Sequence, residues 1–266
     1  MHEDPPAVIS HAAHPAHMLT LVTTTAGDPP FRCDGCKEPG TGTGRRYRCG
    51  AGCEFDLHTR CALAWPTLSH PLLGDLVFTL LPGAPPVAAD AAAASVVCIA
   101  CGVWPAGLVY HCFDSRKKKD IYLHPCCAAL TTETVLAGGH RVQLCAEAKL
   151  RCVVCGEKKE HGHHFFSSGR KLWAYRWFHS AAGEEGSCYL HVGCMKRIAA
   201  QSWEHAGDLD GGGAVLEASV PVVSGLLRRR TAGGEAGSLE LGLEAAGSIV
   251  QQVVSAAASH PAAALP

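Results

Sequence analysis

A string of small modules, three in tandem and followed by a linker and one helix, is the fold class the sequence predicts, and three observations predict it. The string Leu-His-x2-Cys recurs at residues 57–61, 123–127 and 190–194, each time behind a Cys-x2-Cys pair: Cys33 and Cys36, Cys98 and Cys101, Cys152 and Cys155. Between pair and His lie 21, 22 and 35 residues, and one duplicated unit explains this better than three coincidences. Second, 15 Cys and 16 His accompany an aromatic content of only 6%, so a large oil-filled core does not hold this chain. Third, beyond Trp203 the sequence has no Cys and turns Gly-rich.

The elements follow in order. Residues 1–13 read as a flexible N-terminus, 14–70 as the first repeat, 71–135 as the second and 136–205 as the third. Within the second, residues 82–95 are nearly all Pro, Ala and Gly and read as a loop. Residues 206–237, poor in aromatics and carrying Arg228, Arg229 and Arg230 in a row, read as a disordered linker. Over 238–259, Leu239, Leu243, Ala246, Ile249, Val250, Val253 and Val254 keep helical spacing and predict one amphipathic helix, stopped by His260-Pro261.

The formal net charge of -1 excludes a basic DNA-wrapping protein and gives no global attraction to acidic lipid. Residues 1–10 show no basic region followed by an apolar one, so no secretory signal is expected and the compartment is read as intracellular, cytoplasmic or nuclear. No run is apolar enough for a membrane span; residues 245–266, the nearest, contain Gln251, Gln252, His260 and Pro261. In a reducing compartment an odd number of Cys in company with many His points to metal rather than disulfides.

Zinc takes four thiolate or imidazole donors in a tetrahedron, and a Cys-x2-Cys knuckle turns two sulfurs toward one ion. The His-x2-Cys string supplies the other two. The expected sites are therefore Cys33, Cys36, His58 and Cys61; Cys98, Cys101, His124 and Cys127; and Cys152, Cys155, His191 and Cys194. Cys49 and Cys53 lie inside the first unit's loop and imply a second site there, for which His17 upstream and His70 downstream are the expected partners. Shells filled by four protein donors are structural rather than catalytic. No enzymatic activity is expected.

The order of these residues resembles the plant cysteine/histidine-rich family of divergent C1 (C-one) domains, relatives of the phorbol-ester and diacylglycerol-binding zinc finger. The carrying segments are residues 17–21 (His-Met-Leu-Thr-Leu), 31–36 (Phe-Arg-Cys-Asp-Gly-Cys), 47–49 (Tyr-Arg-Cys) and 55–62 (Phe-Asp-Leu-His-Thr-Arg-Cys-Ala). Residues 109–112 and 122–129 match in the second unit, and 173–176 and 189–194 in the third. The resemblance implies zinc-stabilised α+β modules, small antiparallel sheets with a short helix after each His-x2-Cys, and a signalling role in plant stress or hormone responses through a protein partner.

Departures from the family pattern set the metal count. Three residues separate Cys49 from Cys53 where the family has two; Asp114 and Ser115 stand where Cys112 needs its partner; Trp177 replaces the Cys of the third unit's Tyr-x-Cys. About four zinc ions rather than six are expected, with His140, Cys145 and Cys188 as remnants. The Gln-Gly motif of the diacylglycerol-binding relatives is missing before Cys49, Cys112 and Trp177, which argues against a lipid or membrane partner. The basic run Arg116 to Lys119 and the Arg228 to Arg230 triplet read as solvated faces rather than nucleic-acid contacts. Two rival readings stand: a cross-braced ubiquitin ligase or histone reader, because Cys33, Cys36, Cys49, Cys53, His58, Cys61, Cys98 and Cys101 run in a suitable order, and a diacylglycerol- or lipid-binding signalling domain, which would need apolar loop tips and the missing Gln-Gly motif.

Overall fold

The computed structural model describes residues 4–24, 31–40, 44–84, 96–135, 141–158, 171–181 and 184–197. The predicted linker and C-terminal helix lie outside them, as do His140, the His161, His163 and His164 cluster, and the Arg228 to Arg230 triplet.

The first sheet is built from β1 (Val8–Ile9), β2 (Leu19–Thr24), β5 (Gly44–Cys49) and β6 (Asp56–His58), all antiparallel in the order β1-β2-β5-β6. The hairpin β3 (Phe31–Arg32) and β4 (Pro39–Gly40) stands beside it and holds the first Cys knuckle at its tip. The one-turn helix α1 (Thr59–Ala62) follows β6 directly. β7 (Thr67–Ser69), β8 (Val77–Leu81), β9 (Val109–Asp114) and β10 (Lys119–Leu123) form the second sheet, and α2 (Pro125–Ala128) follows it with Pro125 in its first turn, where a missing N–H costs nothing. The third sheet is β11 (Glu133–Val135), β12 (Arg141–Cys145), β13 (Ala174–Ala181) and β14 (Glu184–His191). Helical residues 192–197 follow it.

One tyrosine closes each sheet. Tyr47 on β5, Tyr110 on β9 and Tyr175 on β13 are buried, and their hydroxyls donate to the carbonyls of Pro6 (2.7 Å), Trp65 (2.8 Å) and Thr131 (3.2 Å). Each carbonyl stands two residues ahead of the sheet's first strand. The tyrosine of the Tyr-x-Cys motif is thus a clamp on the entering chain. Burial pushes the Tyr110 hydroxyl up to about 12, so it remains a donor at every physiological pH. Tyr110→Phe should cost about 1 kcal/mol in denaturant unfolding, because the Trp65 carbonyl loses its partner.

The expectation of three tandem repeats is corrected: four groups of four metal-ligating side chains, not three, interleave with the sheets among the described residues. Packing shows why self-contained repeats do not form. Phe78, Tyr110, Ile121 and Leu123 of the second sheet share one buried cluster with Val142, Leu144, Trp173 and Tyr175 of the third. Leu108, from the connection before β9, is buried with Leu19, Tyr47 and Leu57 of the first sheet, and Leu80 and Cys126 pack against that group. Modules so poor in aromatics complete their cores from their neighbours. Trp173, Tyr175 and Trp177 are all buried, and Phe178 is half-buried.

Candidate metal centres

Three knuckles share one backbone geometry. The amides of Lys37, Gly102 and Gly156 donate to the carbonyls of Cys33, Cys98 and Cys152 at 2.8, 2.8 and 2.9 Å. The donors of these bonds take left-handed φ values of 62°, 75° and 72°, a conformation natural to glycine, which lysine adopts here at some cost. A Cβ at Gly102 would meet Leu172 Cδ1 at 2.5 Å. Gly102→Ala is therefore expected to destabilise the second knuckle by roughly 1–3 kcal/mol, read as a lowered unfolding midpoint of the metal-loaded chain.

His58 closes β6, His124 follows β10 and His191 closes β14; the helical turn after each brings its Cys back toward the knuckle. At the first centre His58 Nδ1 lies 3.4 Å from Cys36 Sγ and 3.8 Å from Cys61 Sγ, while the His58 amide donates to Cys33 Sγ at 3.3 Å. At the second, His124 Nδ1 is 3.4 Å from Cys101 and 4.0 Å from Cys127, with all four side chains buried. At the third, His191 Nδ1 is 3.4 Å from Cys155 and 3.9 Å from Cys194, and its amide donates to Cys152 Sγ at 3.4 Å. Tetrahedral zinc with bonds of about 2.3 Å to sulfur and 2.0 Å to nitrogen sets S···N separations of about 3.5 Å, so these donors fit such an ion. All 15 cysteines are free thiols.

Outer contacts support the same assignment. His58 Nε2 donates to the Pro39 carbonyl at 3.2 Å and His191 Nε2 to that of Lys158 at 3.4 Å, which leaves Nδ1 of each ring as the lone-pair donor facing the sulfurs. The Cys194 thiol, with the His191 ring, draws Cys152 down to about 3 against burial, which would raise it. Arg197 donates to Cys194 Sγ at 2.9 Å. At the second centre Lys196 pairs with Glu38 and lies 3.7 Å from Cys101 Sγ and 3.9 Å from Cys127 Sγ. Burial alone would lower Lys196, but the two thiolates and Glu38 hold its ammonium well above the usual range.

The fourth group gathers His14, His17, Cys49 and Cys53, with His17 Nδ1 at 3.3 Å from Cys53 Sγ and 3.2 Å from His14 Nε2. His14 stacks on Phe55 with ring centroids 4.4 Å apart. His70, expected in this group, is elsewhere. Its Nδ1 accepts from the Leu72 amide at 3.2 Å, capping a 3-10 turn, its Nε2 donates to the Leu130 carbonyl at 3.4 Å, and its ring packs on Trp173 at 4.5 Å. His14 was not foreseen, although its two-residue spacing from His17 repeats that of the Cys knuckles. In each of the four groups the donor atoms lie within 4.8 Å of one another, so four clusters of four donors compatible with metal ligation exist among the described residues.

The second unit has a carboxylate where Cys112 would need a partner. Asp114 Oδ1 accepts the amides of Arg116 (3.0 Å) and Lys117 (3.1 Å), folding the β9–β10 turn. Burial would raise this carboxyl, yet those amides and the Lys117 charge hold it below the usual range. The rival cross-brace is not formed: Cys49 and Cys53 stand with His14 and His17, and Cys98 and Cys101 with His124 and Cys127.

Residues 12–62 match the family model of the C1 domain. This segment is a C1-type domain. No curated protein and no solved structure matches the chain. The C1-type domain contains the first and fourth groups complete, and the second and third groups mark related modules downstream. C1-type domains are non-catalytic, in keeping with groups that offer four protein donors each. No helix among the described residues is long and apolar enough to cross a membrane.

Proposed function

We propose that the protein is a zinc-stabilised, non-catalytic interaction module that presents side chains to a protein partner, in an intracellular signalling role of the kind the plant divergent C1 family serves in stress or hormone responses. The observation that carries this reading is the four closed donor groups, three made of three cysteines and one histidine and the fourth of two cysteines and two histidines. Zinc would be held by Cys33, Cys36, His58 and Cys61; by Cys98, Cys101, His124 and Cys127; by Cys152, Cys155, His191 and Cys194; and by His14, His17, Cys49 and Cys53. When bound, it supplies folding free energy and no reaction chemistry. Trp65, 77% exposed in a chain with so few aromatics, supports contact with a protein, since exposed tryptophans are the commonest anchors of interfaces.

Native mass spectrometry of the freshly purified chain tests the metal reading. Four zinc ions are expected, falling to three in Cys98→Ser; a compact chain carrying no metal overturns it. A ubiquitin-discharge assay and sedimentation with diacylglycerol-containing liposomes are both expected to be negative, and a positive result in either replaces the interaction reading with that activity.

A further inference from the structure

The first centre has one donor too many. Cys126, on α2 and therefore from the next sheet's chain, places its Sγ 3.5 Å from His58 Nδ1, between the 3.4 Å of Cys36 and the 3.8 Å of Cys61. Its sulfur also groups with Cys36 Sγ and a Glu38 carboxylate oxygen within 4.8 Å. The second and third centres provide an internal comparison, since each shows two sulfurs at 3.4 to 4.0 Å from its histidine where the first shows three. The position is fixed by packing rather than chance approach: α2 lies against α1, and Cys126 packs on the cluster of Leu19, Tyr47 and Leu57. Its neighbour Cys127 turns the opposite way, into the second centre. Adjacent cysteines thus serve two different centres.

The exchange is reciprocal. Glu38, whose carbonyl accepts the Cys33 amide at 3.0 Å in the first knuckle, reaches the second centre with its side chain, where its Oε1 stands 3.5 Å from His124 Nδ1. Each unit therefore places one side chain beside the other's donor group.

We propose that Cys126 is a fifth metal donor of the first centre, able to take the place of His58, so that this centre keeps its ion in a shell of four thiolates. Zinc accepts four thiolates as readily as three with one imidazole, and the exchange of imidazole for thiolate changes the charge of the centre without changing its geometry. The proposal rests on the metal reading above and goes beyond it by separating one centre from the other two.

The test compares histidine variants of the full chain by chelator competition and native mass spectrometry. His124→Ala and His191→Ala should each weaken one of four zinc ions by on the order of 100-fold or more, because losing a ligand exceeds the roughly 10- to 100-fold cost of losing a second-shell partner. His58→Ala should retain four ions with less than about a tenfold loss, and His58→Ala/Cys126→Ser should fall to the level of His124→Ala. Equal loss in His58→Ala and His124→Ala overturns the proposal while leaving the metal reading intact; absence of zinc from the unmodified chain overturns both. Alkylation of the unmodified protein serves where a variant does not fold. With four ions in place Cys126 should react with iodoacetamide far more slowly than Cys112, which is likewise half-buried but outside every donor group, and equal rates overturn the proposal.

Discussion

Removing the metal is expected to unfold the described part of the chain rather than loosen it. Structural zinc contributes apparent free energies of about 10–16 kcal/mol per site in zinc-finger peptides, whereas a whole domain is stable by about 5–15 kcal/mol, so loss of even one ion rivals everything else that holds the fold. Hydrogen exchange with and without excess chelator measures this. Amides of β5, β9 and β13, protected in the loaded chain, should exchange freely after chelation. Lowering the pH should act in the same direction, because thiolates and imidazoles take up protons before they release a cation, so metal affinity falls as pH falls. Retained protection in the chelated chain would mean that side-chain packing, not ligation, carries the stability.

Trp173→Ala has the next largest expected effect, about 3–5 kcal/mol, the range for removing a large aromatic from a closed core. Trp173 has no exposed surface, sits in the cluster common to the second and third sheets, and supports the His70 ring. The distribution of the loss is as informative as its size. A self-contained third module would confine the damage to β11–β14, whereas the common core predicts that protection also falls on β8 and β9. Residue-resolved exchange of the metal-loaded variant distinguishes the two, and undisturbed β8 and β9 amides would rule out the common core.

Much of the ligand chemistry was legible in the sequence because it is local. A knuckle and a His-x2-Cys string are each fixed by a few residues of backbone, so Cys33, Cys36, His58 and Cys61 and their counterparts could be grouped by spacing alone, and the structure brings each of these sets together. What escaped was long-range. His70 and His14 flank the first unit at comparable distances in sequence, and nothing in their immediate neighbours tells that one caps a turn against Trp173 while the other stacks on Phe55. Cys126 was placed in none of the expected sites because the ring it approaches, His58, belongs to another sheet. The same blindness hid the continuous core: alternation within β12 and β13 marks Leu144 and Tyr175 as inward-facing, but not that Phe78 waits on the other side. That Asp114 itself would fold the β9–β10 turn was likewise not legible from spacing.

The three tyrosine clamps also set a timetable for synthesis. Tyr47, Tyr110 and Tyr175 each bond a carbonyl 41 to 45 residues upstream. At roughly 5–20 residues per second a ribosome takes roughly 2–9 seconds to make that length, during which the first two strands of each sheet can pair only with each other and the edge that the tyrosine-bearing strand will cover stays bare. The knuckle thiols emerge in the same interval, ahead of the histidine that completes their set. Nascent chains of this protein therefore pass through three windows in which reduced cysteines and a bare strand edge are exposed together, and the supply of free zinc during translation governs how long the last of them stays open.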